Sequence, residues 1–162
     1  MRKVMITGSF DPVTVGHEDV IRRAALSFDE VRVTVFINPE KPGMFTPKER
    51  VSLLARVVEE LPNVTVDFDG GMVADYVKRE GIDLLVRAIR DEKDLAYEMK
   101  MADYNLAHGG VETVFFAASP AFACVSSSEV RRRMAAGEDF DPLVPDGIRA
   151  EIAEKAKNLP RK

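Results

Sequence analysis

The side chains best suited to chemistry lie just after predicted β-strands. His17 follows a first apolar strand and a loop of small residues, and we expect it in the first turn of the next helix. Lys41 lies in the turn-rich loop after the second strand, and Arg87 and Arg90 follow the fourth. A serine run at residues 126–128 opens a helix after the fifth strand. Together these segments offer an imidazole, an ammonium, two guanidiniums and several hydroxyls.

This set of groups is suited to stabilising negative charge. The carboxyl ends of parallel strands meet at one edge of a sheet, so we expect the groups to converge there. The free N–H groups and the positive dipole at a helix N-terminus favour a phosphate. The sequence shows no nucleophile with a paired base and no acidic or histidine cluster with the spacing of a metal cage. The pattern therefore predicts transfer of a phosphoryl or nucleotidyl group, in which positioning and electrostatics supply most of the catalysis.

Each of these residues also has an ordinary structural interpretation. Taken alone, Lys41 is a solvated loop lysine, and Arg87 and Arg90 are surface charges. The second histidine, His108, is interpreted as a solvated residue near a helix C-terminus. The arginines at 131–133 are interpreted mainly as a solvated face. The catalytic interpretation therefore depends on the convergence at one sheet edge, which the fold must provide.

Five predicted strands alternate with helices. The strands are expected at residues 3–7, 31–37, 64–68, 84–86 and 114–118. This alternation predicts an α/β fold, a Rossmann-like, mostly parallel five-stranded sheet with helices on both faces. Two helices carry capping-box signals, Thr46 with Glu49 and Ser126 with Glu129. The phosphate-loop and Gly-x-Gly-x-x-Gly signatures are absent, so a phosphate site must be built in another way.

Size and composition predict one soluble, cytoplasmic domain that spans residues 1–162. The 162 residues are 46% hydrophobic and 31% charged, which is ordinary for a globular protein. No apolar run approaches the ~20 residues of a membrane helix, and the single cysteine, Cys124, excludes an internal disulfide. The net charge of −4 argues against sequence-independent nucleic-acid binding. The same net charge is compatible with binding of a small phosphorylated ligand.

Two motifs resemble the signatures of the T-x-G-H nucleotidyltransferase superfamily. Residues 8–12 followed by Thr14-Val15-Gly16-His17 resemble the first signature, and residues 125–131 resemble the second, an Ile-Ser-Ser-Ser/Thr-x-Val/Ile-Arg run. Within that superfamily the chain is most similar to the bacterial phosphopantetheine adenylyltransferases. The further matching stretches are Lys41 with residues 44–46, Glu49-Arg50, residues 87–90 and residues 94–99. The resemblance runs from residue 4 to about residue 150.

The resemblance implies the penultimate step of coenzyme A synthesis. ATP and 4′-phosphopantetheine would give dephospho-coenzyme A and pyrophosphate by direct in-line attack, with no covalent enzyme intermediate. Mg²⁺ would assist and would be held mainly by substrate phosphates, so no residue is predicted as a metal ligand. The resemblance also implies a homo-oligomer, typically a hexamer, and feedback inhibition by coenzyme A.

The resemblance further implies roles for individual residues. His17 would stabilise charge on the α-phosphate of ATP, and Lys41 and Arg90 are also expected to act in catalysis. Lys41 and Arg87 would hold the phosphate of phosphopantetheine, with Ser9 and Val73 beside that substrate. The expected ATP-binding residues are Ser9, Phe10, His17, Ala88, Ile89, Arg90, Glu98, Phe122, Ala123, Cys124, Val125, Ser126, Ser127 and Ser128.

Three positions depart from the family pattern, and none removes a charge that the reaction needs. Ser9 replaces the usual threonine and keeps its hydroxyl, Ala88 stands where many members have glycine, and Val73 replaces a larger apolar residue. Other members of the superfamily remain alternatives, namely a nicotinamide-mononucleotide adenylyltransferase or a cytidylyltransferase for a polyol phosphate. A non-catalytic nucleotide-binding regulator is an alternative from a different class.

Overall fold

The computed structural model describes residues 1–159. Its five strands form one parallel sheet in the order β3-β2-β1-β4-β5. The strands are β1 (Lys3–Gly8), β2 (Glu30–Phe36), β3 (Val64–Asp69), β4 (Leu84–Ile89) and β5 (Glu112–Ala117). This arrangement confirms the predicted α/β, Rossmann-like class. The direction of strand addition reverses between β1 and β4, which is where open parallel sheets bind ligands.

Helices cover both faces of the sheet. They are α1 (Val15–Ser27), α2 (Pro47–Val57), α3 (Val73–Glu80), α4 (Glu92–Gly109), α5 (Ser127–Ala136) and α6 (Arg149–Lys157). Central strand β1 is apolar on both sides because alternate side chains enter different cores. Val4 and Ile6 join the larger core, which includes residues of α1, α2, α5 and α6, whereas Met5 packs with Tyr76 and Val77 of α3.

Some element boundaries differ from the sequence prediction. Strand β4 continues to Ile89, so Arg87 lies within the strand and only Arg90 follows it. The prediction ended this strand at residue 86 because the apolar run stops there. Helix α1 begins at Val15 because Thr14 caps it. The earlier start brings His17 to the third helical position.

The two predicted capping boxes have different outcomes. The box of Thr46 and Glu49 is complete. At α5, the Ser126 hydroxyl accepts from the backbone N–H of Glu129, but the Glu129 carboxylate binds Arg132 and Arg133 instead of returning to Ser126. The prediction of a second complete box is therefore wrong, because charged partners one turn further along the helix compete for that carboxylate.

Helix α4 turns its polar residues inward. Glu98 and Asn105 are its buried side chains. Its large apolar residues are exposed, namely Leu95, Tyr97, Met99, Met101, Tyr104 and Leu106. Leu95, Met99 and Leu106 recur at helical spacing, and the apolar stripe that they form faces away from the sheet. Among residues 1–159, no helix combines the length and apolar character that crossing a bilayer requires.

Candidate active site

A cavity of about 330 Å³ lies at the carboxyl edge of the sheet, between the ends of β1 and β4 and the first turns of α1 and α5. This size falls within the usual range for small-molecule sites. The predicted site residues that line it are Ser9, Phe10, His17, Arg87, Ala88, Arg90, Glu98, Phe122, Val125, Ser126 and Ser127. The structure therefore places most of the predicted ATP-binding residues around one cavity. Their individual roles remain predictions.

His17 is fixed in the cavity wall by the cap of its own helix. Its Nδ1 accepts a hydrogen bond from the backbone N–H of Thr14 at 3.0 Å and lies 3.1 Å from the Thr14 hydroxyl. The edge of the Phe10 ring packs against the imidazole, with 4.9 Å between ring centroids. Because Nδ1 is the acceptor, a neutral ring carries its proton on Nε2. The cap thus leaves His17 with one N–H donor.

The charge state of His17 follows from its surroundings. Burial, together with the positive charges of Arg87 and Arg90, lowers the pKa of His17 to about 4. The imidazole is therefore neutral near pH 7. It can donate a hydrogen bond to an anion but carries no positive charge of its own.

This lowered pKa predicts a pH-dependent stability. In the unfolded chain His17 takes up a proton near its ordinary pKa of 6.5, whereas the folded protein resists protonation until about pH 4. The stabilising contribution of neutral His17 is therefore complete above pH 6.5 and is lost as the pH falls towards 4, by up to about 3 kcal/mol. Urea unfolding at pH 7 and pH 4.5 checks this. We expect acidification to destabilise the wild type more than His17→Gln, and equal losses would contradict the assignment.

Arg87 is held rigidly by an ion pair with α4. Its Nε and Nη2 donate to the two carboxylate oxygens of Glu98 at 2.8 and 2.6 Å. Its Nη1 donates to the backbone oxygen of Thr7 and, at 2.9 Å, to the Thr7 hydroxyl. The family resemblance implies different substrates for Arg87 and Glu98, whereas in the structure the two side chains form one unit. A phosphate at Arg87 would meet a guanidinium that is already oriented by its carboxylate partner.

Arg90 is oriented by a residue that sequence reasoning did not single out. Asp94 accepts from Arg90 Nε at 2.7 Å and from Nη2 at 3.1 Å, and it also lines the cavity. The Arg90 guanidinium lowers the pKa of Asp94, so the carboxylate stays charged. Asp91 caps α4 by accepting the backbone N–H of Asp94 at 2.8 Å. The sequence signal that could have predicted this ion pair is the spacing of four residues between Arg90 and Asp94 near the start of a helix.

The N-terminus of α5 abuts the turn after β1. The hydroxyl of Ser127 donates to the backbone oxygen of Pro12 at 2.8 Å. Arg131 donates to the backbone oxygen of Asp11 at 2.6 Å and to the Ser128 hydroxyl at 3.1 Å. The interpretation of Arg131 as part of a solvated face is therefore wrong, because the tertiary fold supplies it with a backbone acceptor far away in sequence. The first turns of α5 and α1 both line the cavity.

The remaining predicted residues do not line the cavity. Lys41 is exposed in the loop after β2, where its backbone N–H donates to Asn38. Val73 begins α3 and packs beside the smaller core. The others outside the cavity wall are Ile89, Ala123, Cys124 and Ser128. Lys41 and Val73 both follow strands at the same edge of the sheet as His17, on the β2 and β3 side.

The carboxylates around the cavity already have cationic partners. Asp94 pairs with Arg90, Glu98 with Arg87, and Asp19 with Arg23. Within residues 1–159, no group of three or more His, Cys, Asp or Glu side chains is arranged to hold a metal ion. In this arrangement the cavity carboxylates orient arginine guanidiniums.

Comparison with known proteins identifies the relatives of this chain. Residues 5–133 match the family model described as cytidylyltransferase-like. A phosphopantetheine adenylyltransferase from Corynebacterium diphtheriae is 42% identical over 159 residues, which cover 98% of this chain and 100% of that protein. A crystal structure of a candidate nicotinate-nucleotide adenylyltransferase from Vibrio parahaemolyticus has a TM-score of 0.65, covers 98% of this chain and 100% of that one, and is 17% identical.

The two likenesses carry different weight. At 17% identity the structural likeness shows the shared fold alone. The sequence likeness extends over nearly the whole length of both proteins, and it agrees with the motifs that surround the cavity. The chain belongs to the phosphopantetheine adenylyltransferase family, within the cytidylyltransferase-like nucleotidyltransferases.

Proposed function

We propose that this protein transfers the adenylyl group of ATP to 4′-phosphopantetheine, yielding dephospho-coenzyme A and pyrophosphate. The observation that carries the proposal is the near-full-length likeness to a phosphopantetheine adenylyltransferase. The cavity at the switch point of the sheet supports it, because His17, Arg90 and two helix N-termini surround a space suited to a nucleotide.

The reaction needs no nucleophile from the protein. A phosphate oxygen of phosphopantetheine attacks the α-phosphorus of ATP in line, the new O–P bond forms, and the bond to the pyrophosphate oxygen breaks. Negative charge shifts onto the phosphoryl oxygens in the transition state, so fixed donors at that point accelerate the reaction. The Nε2–H of His17 donates to an α-phosphate oxygen, and the guanidinium of Arg90 balances charge on the leaving phosphates. The imidazole keeps its proton throughout.

The second substrate binds on the β2 side of the cavity. Lys41 and Arg87 hold the phosphate of phosphopantetheine, Ser9 lies beside it, and Val73 contacts the pantetheine arm. Arg87 is already oriented by Glu98, whereas Lys41 comes from an exposed loop. Coenzyme A contains the same pantetheine arm, so it would compete for this part of the site. Mg²⁺ held by the triphosphate would neutralise phosphate charge. We propose a cytoplasmic location, which suits a biosynthetic enzyme that consumes ATP.

Pyrophosphate release separates the candidate functions. The purified protein is incubated with Mg²⁺, ATP or CTP, and either phosphopantetheine, nicotinamide mononucleotide or a polyol phosphate. We expect turnover with ATP and phosphopantetheine together and at most a trace with the other pairs. Turnover with nicotinamide mononucleotide instead would assign the protein to another branch of the superfamily. ATP binding without pyrophosphate release from any pair would identify a non-catalytic regulator.

The exposed face of α4 supports assembly into a homo-oligomer, which we propose to be a hexamer. Leu95, Met99, Ala102 and Leu106 follow the alternating spacing of four and three residues by which helices pack together. A monomer that exposed this apolar surface would be unusual. A second copy offers the same surface, so a symmetric contact between copies would cover both.

Light scattering after size exclusion tests the assembly. We expect the wild type near six times the 18.0 kDa chain mass. The double variant Met99→Glu, Leu106→Glu should have a clearly lower mass, because charges at an apolar contact stay unpaired and the contact through α4 is lost. Leu26→Glu is the control, since Leu26 is 89% exposed but lies on α1, outside the apolar stripe of α4. A monomeric wild type, or equal behaviour of the double variant and the control, would contradict the proposed role of α4.

A further inference from the structure

A buried ion pair joins the turn after β1 to the loop after β2. Arg50 Nε lies 3.4 Å from Asp11 Oδ1, and the two side chains are only 7% and 8% exposed. The Asp11 carboxylate also accepts two backbone N–H groups of the loop, from Met44 at 2.9 Å and from Phe45 at 2.8 Å. Asp11 therefore holds the end of the segment that carries Lys41.

Arg50 contacts both of the segments that it joins. Its Nε donates to the backbone oxygen of Phe45 at 2.8 Å, and its Nη1 donates to the backbone oxygen of Ser9 at 3.2 Å. The planar guanidinium spreads its donors over a rigid fork, so one side chain serves both acceptors from one position. The two segments are thus set at a defined separation by a single side chain.

Gly43 shows how closely the loop approaches the pair. A Cβ at this position would overlap Nη2 of Arg50 and lie 2.8 Å from Asp11 Oδ2. Lys41 stands two residues before Gly43, and its backbone N–H is held by Asn38. The chain between the ion pair and Lys41 is therefore short.

On the Asp11 side, the ion pair is connected to His17 through Phe10. Phe10 lies between Ser9 and Asp11 in the sequence, is buried, and packs its ring against the imidazole. Its backbone has a φ of 45°, an uncommon conformation for a residue with a side chain, so the surrounding contacts must hold it. The contacts of Asp11 and Arg50 on either side of Phe10 are suited to do so.

We infer that Asp11 and Arg50 are positioning residues that set the place of Lys41 relative to His17. The inference rests on the proposed function, in which Lys41 binds the phosphate of phosphopantetheine. Burying two charges costs desolvation energy that their attraction roughly offsets, so a buried pair is a weak source of net stability. Its specific effect here is geometric, because it joins the two loops that must bring the two reacting phosphates together.

A double-mutant cycle tests this inference. Arg50→Lys keeps the charge but replaces the planar fork of donors with a single ammonium nitrogen. Gly43→Ala keeps both charges but displaces the guanidinium. Each is made in the wild type and in Lys41→Ala, and kcat and KM are measured for both substrates. Since a misplacement of about 1 Å can cost ~10²-fold, we expect each single variant to lower kcat/KM for phosphopantetheine about tenfold or more. KM for ATP should change less than about twofold.

The coupling with Lys41 decides the outcome. If the pair acts through Lys41, neither change lowers kcat/KM for phosphopantetheine further, beyond about twofold, once Lys41 is alanine. Losses that multiply independently would overturn the inference while leaving the role of Lys41 intact. A Lys41→Ala variant with an unchanged KM for phosphopantetheine would instead remove Lys41 from the proposed site, and the inference with it.

A control variant separates positioning from general stability. Arg32 on β2 forms ion pairs with Asp67 and Glu80, next to α3 on the other side of the sheet. We expect Arg32→Lys to lower Tm without coupling to Lys41→Ala. Gly43→Ala changes a surface loop, so it reports on the pair even if Arg50→Lys does not fold. An equal coupling of Arg32→Lys with Lys41→Ala would show that the cycle measures stability alone.

Discussion

Replacement of His17 by alanine should lower kcat about 10²- to 10³-fold, the usual cost of removing one donor to a transition-state oxyanion. The structure supports an effect on kcat because the imidazole is neutral, fixed by Thr14, and left with one N–H on Nε2. A neutral donor gains most when charge on the phosphoryl oxygens grows during the reaction. The KM for ATP should therefore change little.

Two controls make this prediction decisive. His108→Ala removes the other histidine, which lies at the end of α4 outside the cavity, and should retain full activity. His17→Ala also removes the acceptor for the backbone N–H of Thr14, at a cost of about 1 kcal/mol in stability. Thermal unfolding shows whether the variant is folded at the assay temperature. A folded His17→Ala protein with wild-type kcat would exclude His17 from the mechanism.

Replacement of Arg90 by alanine should lower kcat by a similar factor, about 10²-fold or more. Arg90 follows β4 directly, lines the cavity, and is oriented by two hydrogen bonds to Asp94. Asp94→Asn keeps the arginine but weakens its orientation, so we expect a smaller loss of kcat in that variant. Single-turnover measurements with saturating substrates separate this loss from slower product release.

An exposed arginine outside the cavity provides the matched control. Arg132 lies on the surface of α5 and, like Arg90, is held in ion pairs, here with Glu129 and Glu138. Surface ion pairs contribute little to stability, so Arg132→Ala should retain wild-type kcat and Tm. If Arg90→Ala raises the KM for ATP but leaves kcat unchanged, Arg90 contributes to ground-state binding instead of catalysis.

Local features of the fold could be predicted because their signals are local. The apolar run of β1, the Thr46 cap and the spacing of Val20, Ile21 and Ala24 in α1 depend on neighbours within a turn or two. The family motifs are also contiguous. The sequence by itself therefore determined the α/β class, the order of the elements and most of the predicted ATP-binding residues that line the cavity.

Only the tertiary structure decided which residues act together. The strand order places β1 beside β4, and this adjacency brings His17 to the same cavity as Arg87 and Arg90. The pairs of Arg87 with Glu98 and of Asp11 with Arg50 join different elements, as does the bond from Arg131 to the Asp11 backbone. Helix periodicity showed an apolar stripe on α4 but not which side meets the sheet. These features arise from packing between segments that are distant in the sequence. A charged or apolar residue in the sequence does not show which distant residue it will contact.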